Sequence, residues 1–313
     1  MKRIIFMGTP EFAVPSLQAL IATGQVVGVV TQPDRPAGRG QQLTPPPVKV
    51  AAEAAGLPIY QPKSLRKEEA AEPLRQWQPD LIVVAAFGQI LRSHVLELPP
   101  LGCVNVHASL LPRWRGASPI QHAILAGDAV TGVTLMQMEA GLDTGPMLAV
   151  AEEQVLETDT AATLHDKLAV LGGQLLAARL DDLLAGRLTA VPQDDSLSTY
   201  APMIGKEAGL LNWGETAEQL GRRVRAMTPW PGAFTYWEGQ PLKILAAEPV
   251  PGATLPPGEV GVLRDGTAVV GTAEGGLALH TIQLPGKRPL ASAEFIRGRA
   301  NFANAELGMR NAE

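Results

Sequence analysis

The sequence predicts an α/β protein in two parts. A doubly wound, mostly parallel sheet comes first, and a small all-β unit, a barrel or sandwich, follows. Three observations carry this reading. Strand-like apolar runs alternate with helix-period segments up to residue 188, the signature of β-α-β units. Residues 81–86 are apolar throughout, as in a strand buried on both faces of a parallel sheet. Beyond residue 207 the pattern changes to short strands separated by Gly/Pro turns.

The elements follow in order. Residues 3–7 read as the first strand. Phe12, Val14, Leu17, Leu20 and Ile21 recur near a 3.6-residue period, so residues 11–23 read as a helix stopped by Gly24. Residues 26–31 are a β-branched strand, 46–55 an Ala-rich helix begun at Pro46 or Pro47, and 65–77 a further helix. After the strand at 81–86 come a short strand at 104–106, a helix at 118–126, an alternating strand at 133–138 and a strand at 147–155. Residues 161–185 carry the longest helical pattern, ended by Gly186. The segment 189–206, with Pro192, Pro202, Asp194, Asp195 and a Ser/Thr cluster, reads as a linker. A helix at 215–226 and strands at 233–237, 242–248, 259–263, 267–271 and 276–283 complete the chain. The expected domains are therefore 1–188 and 207–313, joined by 189–206.

Composition narrows the function. The length of 313 residues suits two domains of roughly 100–200 residues each. With 46% apolar and 18% charged residues, each half has enough apolar material for a core. A single cysteine, Cys103, excludes an intramolecular disulfide framework and suits a reducing compartment. The five histidines show no metal-ligand spacing. No signal-peptide core or membrane-spanning run is evident, so the expected location is cytoplasmic. The net charge is −5, all of it within residues 1–199, while residues 200–313 balance at zero. Any nucleic-acid contact must therefore come from local basic patches.

The first strand runs into Gly8-Thr9-Pro10-Glu11. This is neither the G-x-G-x-x-G of a dinucleotide site nor a Walker loop, so NAD and ATP are not expected. Residues 32–48 form a Gly/Pro-rich loop with Arg35 and Arg39. It exceeds the ~2–6 residues of an ordinary connection, as functional loops do, and its charge suits phosphate.

The stretch 102–120, GCVNVHASLLPRWRGASPI, concentrates polar groups in an apolar setting. Asn105 and His107 stand two apart at a strand end and share one face, where ligands bind in open α/β sheets. An amide there donates to a developing oxyanion, and an imidazole carries a proton. Asp143, between Gly141 and Gly145, is placed to orient His107 and stabilise its charged form. Asp143-Thr144-Gly145 also matches the aspartic-protease tripeptide. That chemistry needs two carboxylates sharing a proton, and a second D-[ST]-G is absent.

With these residues in view, the whole chain resembles the methionyl-tRNA formyltransferases, within the wider 10-formyltetrahydrofolate-dependent formyltransferase family. The resemblance lies in an ordered set: RIIFMGTPEFA, VVTQPDRPAGRG, PPVKV, VNVHASLLPRWRGASPIQ, GVTLMQMEAGLDTGPML and TPWPGAF. It implies a Rossmann-like catalytic domain and an OB-like C-terminal barrel. It implies transfer of the formyl group of 10-formyltetrahydrofolate, a co-substrate, to the α-amino group of methionyl initiator tRNA, without a metal. By position, Asn105, His107 and Asp143 would be catalytic, with Asn105 and His107 stabilising a tetrahedral intermediate and Asp143 orienting His107, and Ser109, Leu110, Leu111 and Pro112 would line the folate pocket. The loop with Arg35 and Arg39 would enter the acceptor-stem groove, and Lys206, Arg222, Arg223, Arg225, Lys287 and Arg288 are candidate tRNA contacts. A monomer is expected. Two departures are Met203, near which relatives carry a lysine, and Asn212, which replaces an acid. A sugar-nucleotide or purine-precursor amine is the alternative acceptor. It would use the same three residues without the basic loop or the barrel.

Overall fold

The computed structural model describes residues 1–37 and 42–308, so Arg39 lies outside the described residues. These residues group into two compact units. The first comprises Met1–Pro119, Val130–Gln154 and His165–Ala201; the second comprises Ile120–Ala129, Val155–Leu164 and the chain from Pro202 onward.

In the first unit the strands are β1 (Ile4–Gly8), β2 (Val26–Val30), β3 (Arg35–Ala37), β4 (Gln42–Thr44), β5 (Ile59–Tyr60), β6 (Leu81–Ala85), β7 (Cys103–His107), β8 (Arg115–Gly116), β9 (Val130–Gln137), β10 (Met147–Gln154) and β11 (Tyr200–Ala201). Seven of them make one sheet in the order β10-β9-β7-β6-β1-β2-β5. β1 pairs in parallel with β2 and β6, and β6 with β7. β9 runs antiparallel to both β7 and β10. The short loop between β9 and β10 allows this, since a parallel pair would need a crossover. Both β1 and β6 are buried at every position, which their unbroken apolar sequences require. From β1 the chain first builds toward β2 and β5, then returns to place β6 on the other flank. Such a reversal leaves a crevice at the carboxyl ends of the two strands.

Helices α1 (Val14–Ile21), α2 (Pro47–Ala54), α3 (Glu72–Gln76), α4 (Ser93–Leu96), α5 (Pro119–Ala126) and α6 (Ala161–Leu184) follow. The α6 helix lies close to α1: a Cβ on Gly173 would stand 2.9 Å from the Pro15 carbonyl. The helix expected at 65–77 is shorter. A 3-10 turn spans Glu68–Ala71, and α3 begins with Pro73 in its first turn. Proline suits that place and obstructs extension toward the N-terminus. The segment 189–206 also holds regular structure. β11 pairs in parallel with β8, and a 3-10 turn covers Asp195–Leu197.

The second unit takes α5 beyond Pro119 and the start of α6; from Pro202 onward its first α-helix is α7 (Ala217–Ala226), whose start is a capping box. Thr216 Oγ1 accepts from the Gln219 amide, and the Gln219 side chain accepts from the Thr216 amide. Strands β12 (Ala233–Trp237), β13 (Gln240–Val250), β14 (Val260–Val262), β15 (Ala268–Gly271), β16 (Gly276–Gln283) and β17 (Leu290–Ala291) precede α8 (Ser292–Gly298). They form an antiparallel sheet in the order β12-β13-β16-β15-β14, with β17 on β16. Residues 305–308 then bridge the two outer strands. Val260 N–H donates to Ala305, while Gly308 and Tyr236 exchange backbone hydrogen bonds. Joining the edges in this way makes the sheet a small barrel, in which residues 305–308 cover part of each outer strand. Trp237, Phe295 and Phe302 fill one end of its core, with edge-to-face ring separations of 5.0–5.4 Å.

Candidate active site

Alternation along β7 sends Asn105 and His107 to one face. Their pairing with Met136 and Thr134 of β9 fixes the height of each. His107 is 5% exposed. Its Nε2 lies 3.0 Å from the Trp114 carbonyl oxygen, and its Nδ1 lies 3.7 Å from Asp143 Oδ2. The same Oδ2 accepts a hydrogen bond of 2.9 Å from Gly116 N–H. Among the described residues neither the Asn105 amide nor Asp143 Oδ1 has a hydrogen-bond partner. The cluster thus presents one half-buried amide and one carboxylate oxygen that are free to meet a substrate.

Asp143 sits in the connection between β9 and β10 with a left-handed backbone, φ +53°. Gly145 tightens the loop, because a Cβ there would overlap the Gln137 carbonyl. Opposite it, the loop after β7 folds on itself. Thr134 Oγ1 donates to the Ser109 carbonyl at 2.7 Å and accepts from Leu111 N–H at 3.1 Å. Ser109 Oγ donates to the Arg113 carbonyl at 2.6 Å. Ser109 is therefore buried with its hydroxyl occupied, and Leu111 is buried as well. Leu110 and Pro112 are the half-exposed members of the predicted folate loop. Leu142, beside Asp143, is 54% exposed, an apolar surface that suits a flat heterocycle.

At the carboxyl ends of β1 and β6 lies a cavity of about 410 Å³. Its walls include Thr9, Gln32, Arg35, Pro46 and Phe87. Thr9 Oγ1 and Gln32 Nε2 both donate to the Phe87 carbonyl, and Arg35 donates to Gln32 Oε1 at 3.2 Å. At the foot of β3, Asp34 accepts from Gln61 and from Lys49. Those bonds, that from Gln61 foremost, hold its carboxyl below the ordinary value.

The predicted tRNA contacts divide by environment. Lys206, Lys287 and Arg35 are exposed, and the Arg288 side chain is 79% exposed although it pairs with Glu294. Lys287 and Arg288 share a cavity of about 190 Å³ with Arg299, a residue sequence reasoning passed over. On α7 the arginines are engaged within their own unit. Arg223 forks onto Glu215 at 3.0 Å and also bonds the Ala208 carbonyl. Arg225 bonds the Asp159 carbonyl, and burial, then the neighbouring Arg222, pull its guanidinium below the ordinary value. Arg222 reaches Glu218 at 3.6 Å. Met203 is 80% exposed. Asn212 Oδ1 accepts from Gly214 N–H at 3.1 Å, a turn-forming bond.

Sequence reasoning also missed the backbone partners of the site, the Trp114 carbonyl and Gly116 N–H, together with Thr134 and Gln193. Among the described residues, no group of three or more His, Cys, Asp and Glu side chains is arranged to hold a metal. No described helix is long and apolar enough to cross a membrane.

Comparison with known proteins gives a consistent result. Residues 1–180 match the family model "Formyl transferase", and residues 203–300 match "Formyl transferase, C-terminal domain". The chain is 48% identical over 311 residues to a methionyl-tRNA formyltransferase of Geotalea daltonii, covering 99% of each. It is 52% identical over 299 residues to the enzyme of that name from Halorhodospira halophila, covering 95% of this chain and 96% of that one. Among solved structures, an N-formyltransferase from Helicobacter canadensis in complex with folinic acid and dTDP-3-aminofucose superposes with a TM-score of 0.66. Its identity is 19%, over 89% of this chain and 99% of that one. HypX from Aquifex aeolicus, in complex with tetrahydrofolic acid, gives a TM-score of 0.60 at 20% identity, over 94% of this chain and 46% of that one. At those identities the two structures speak for the fold.

Proposed function

The chain belongs to the formyl transferase family, and from that premise we propose that it transfers the formyl group of 10-formyltetrahydrofolate to the α-amino group of methionyl initiator tRNA, releasing tetrahydrofolate. Near-identical length and about half-identity to methionyl-tRNA formyltransferases support the acceptor. The observation that carries the chemistry is the convergence of a free amide, an imidazole and a carboxylate: Asn105 and His107 on one strand face, and Asp143 Oδ2 3.7 Å from His107 Nδ1.

The folate co-substrate supplies the electrophilic formyl carbon. Asn105 donates its amide N–H to the formyl oxygen as the methionyl nitrogen bonds to that carbon and charge gathers on the oxygen. Asp143 and His107 Nδ1 take the proton that the attacking nitrogen sheds. When the oxyanion collapses, the bond from carbon to the folate nitrogen breaks. The His107–Asp143 pair returns the proton to that nitrogen, so no net charge accumulates.

The same reading gives Leu110 and Pro112 to the folate and the cavity beside Arg35 to the aminoacyl end. The exposed cations Lys206, Lys287 and Arg288 are our candidates for the tRNA backbone. Domains 1–188 and 207–313 joined by 189–206, a monomeric state and a cytoplasmic location complete the proposal. The test is formyl transfer to charged initiator tRNA, with charged elongator methionine tRNA as control. Product on the initiator alone is expected. A folded, folate-binding protein that formylates neither tRNA overturns the reading in favour of a small amine acceptor.

A further inference from the structure

Asp143 does not hold its own position. Its loop is short, its backbone is left-handed, and its carboxylate receives one backbone N–H, from Gly116. Within the loop, Thr144 Oγ1 donates to Glu139 Oε1 at 3.1 Å and Gln137 N–H to the Pro146 carbonyl; from outside it comes Gln193, some fifty residues further along the chain. Gln193 Nε2 donates to the Asp143 carbonyl at 2.8 Å and to the Gly145 carbonyl at 2.7 Å. One side-chain amide thus spans both ends of the Asp143-Thr144-Gly145 turn.

The orientation of that amide is not arbitrary. Its Oε1 accepts from Arg115 Nε at 2.9 Å. A guanidinium only donates and a carbonyl only accepts, so the oxygen must face Arg115 and the nitrogen must face the turn. Arg115 is itself fixed. Its side chain is 11% exposed and bonds Asp195 at 2.7 Å, its N–H donates to the Thr199 carbonyl, and it lies on β8 against β11. Around Gln193 the chain is exposed at residues 191, 192 and 194–197, while Gln193 is half-buried. Val191 exchanges two backbone hydrogen bonds with Met147 at 2.8 Å each, anchoring the segment just before the glutamine. The segment 191–201 is therefore a strap, bonded to the loop that carries Asp143 and to β8, which carries Gly116.

We propose that Gln193 is a positioning residue for the transfer reaction, acting through Asp143. Its two N–H donors hold the Asp143 turn so that Oδ2 stays between Gly116 N–H and His107 Nδ1. The inference rests on the catalytic reading of Asp143. It predicts that loss of these donors lowers turnover without weakening either substrate, because Gln193 meets the turn through its backbone.

The test uses the full-length enzyme and three variants: Gln193→Glu, Asp143→Asn and the double substitution. Gln193→Glu keeps the size of the side chain and an oxygen for Arg115. It replaces both donors with an oxygen facing two carbonyls. Thermal unfolding and folate binding verify that each variant is folded. A kcat lower by between about tenfold and a hundredfold is expected for Gln193→Glu, the scale of a small misplacement of a catalytic group, with KM for tRNA and folate unchanged. In the Asp143→Asn background the same change should cost kcat no more than about twofold, since coupled residues are not additive. Wild-type kcat in Gln193→Glu, a change confined to KM, or a full additive loss in the double variant overturns the inference. Wild-type kcat in Asp143→Asn instead overturns the catalytic reading, and Asp143→Asn is measured first for that reason.

Discussion

The imidazole of His107 is tied to the backbone of Trp114: its Nε2 lies 3.0 Å from the Trp114 carbonyl oxygen. A carbonyl has no proton to give, so Nε2 carries one and the neutral ring keeps its lone pair at Nδ1. That leaves one atom of the ring for chemistry, and it is the atom that faces Asp143. Proton uptake and release thus occur where the carboxylate stands. Nitrogen-15 NMR of the labelled protein, at a pH where the ring is neutral, should show Nε2 protonated and Nδ1 bare. The opposite tautomer removes Nδ1 as the proton acceptor.

Asn105 is the only donor we assign to the oxyanion, so its loss should fall on turnover. Asn105→Ala is expected to lower kcat by about 10²–10³, the usual cost of an oxyanion donor. Stability should change little, because the amide has no partner among the described residues. Single-turnover kinetics with saturating folate isolate the step. A normal rate there assigns the oxyanion to another group.

These two residues were legible in the sequence because a strand repeats every two residues, and Asn105 and His107 obey that period. Asp143 was legible through its flanking glycines and the family likeness. Its supports were not. Gly116 contributes a backbone N–H, Trp114 a carbonyl, and neither is a property of the side chain that the sequence names. Gln193 is 50 residues from the carbonyl it holds, inside a stretch whose composition reads as linker. β8 and β11 have two residues each, too few for any periodicity. The doubly wound sheet was clear for the opposite reason: β1 and β6 are buried throughout, and burial writes an apolar run directly. On α7 the arginines were visible as charge, but Glu215, which takes up Arg223, belongs to the turn before the helix.

Thr134 links the two halves of the predicted folate loop. It is fully buried and serves Ser109 O and Leu111 N–H together. Thr134→Val keeps the shape and strands both groups, so a loss of stability of about 1–3 kcal/mol is expected. Folate binding should weaken as well, because residues 109–112 lose their fixed turn. Chemical denaturation and a folate titration measure the two effects separately. Unchanged stability shows that the loop finds other partners.

The candidate tRNA cations should separate by salt dependence. Lys287→Gln and Arg288→Gln remove exposed charges, and each that meets a phosphate should reduce the slope of log affinity against log salt by roughly one. Arg223→Gln should act differently. It leaves Glu215 and the Ala208 carbonyl without their partner, so its main effect should be on unfolding. Filter binding of charged initiator tRNA over a salt series gives the slopes. A slope that changes for Arg223→Gln alone inverts the assignment.

Cys103 tests the depth of the β7 floor. Burial pushes its thiol up to about 12 from an ordinary value of 9.0, so near neutral pH the folded state holds almost no thiolate, which is the reactive form. Maleimide should leave the native protein unlabelled at pH 8 and react once it unfolds. The linkage has a definite sign. Because the folded value is raised, the contribution of this thiol to stability is whole below 9.0 and declines as pH rises toward 12. Cys103→Ala should therefore lose less stability than wild type over that alkaline range. Rapid labelling of the native enzyme would mean that β7 opens readily, and the fixed geometry of Asn105 and His107 two and four residues beyond Cys103 would fail with it.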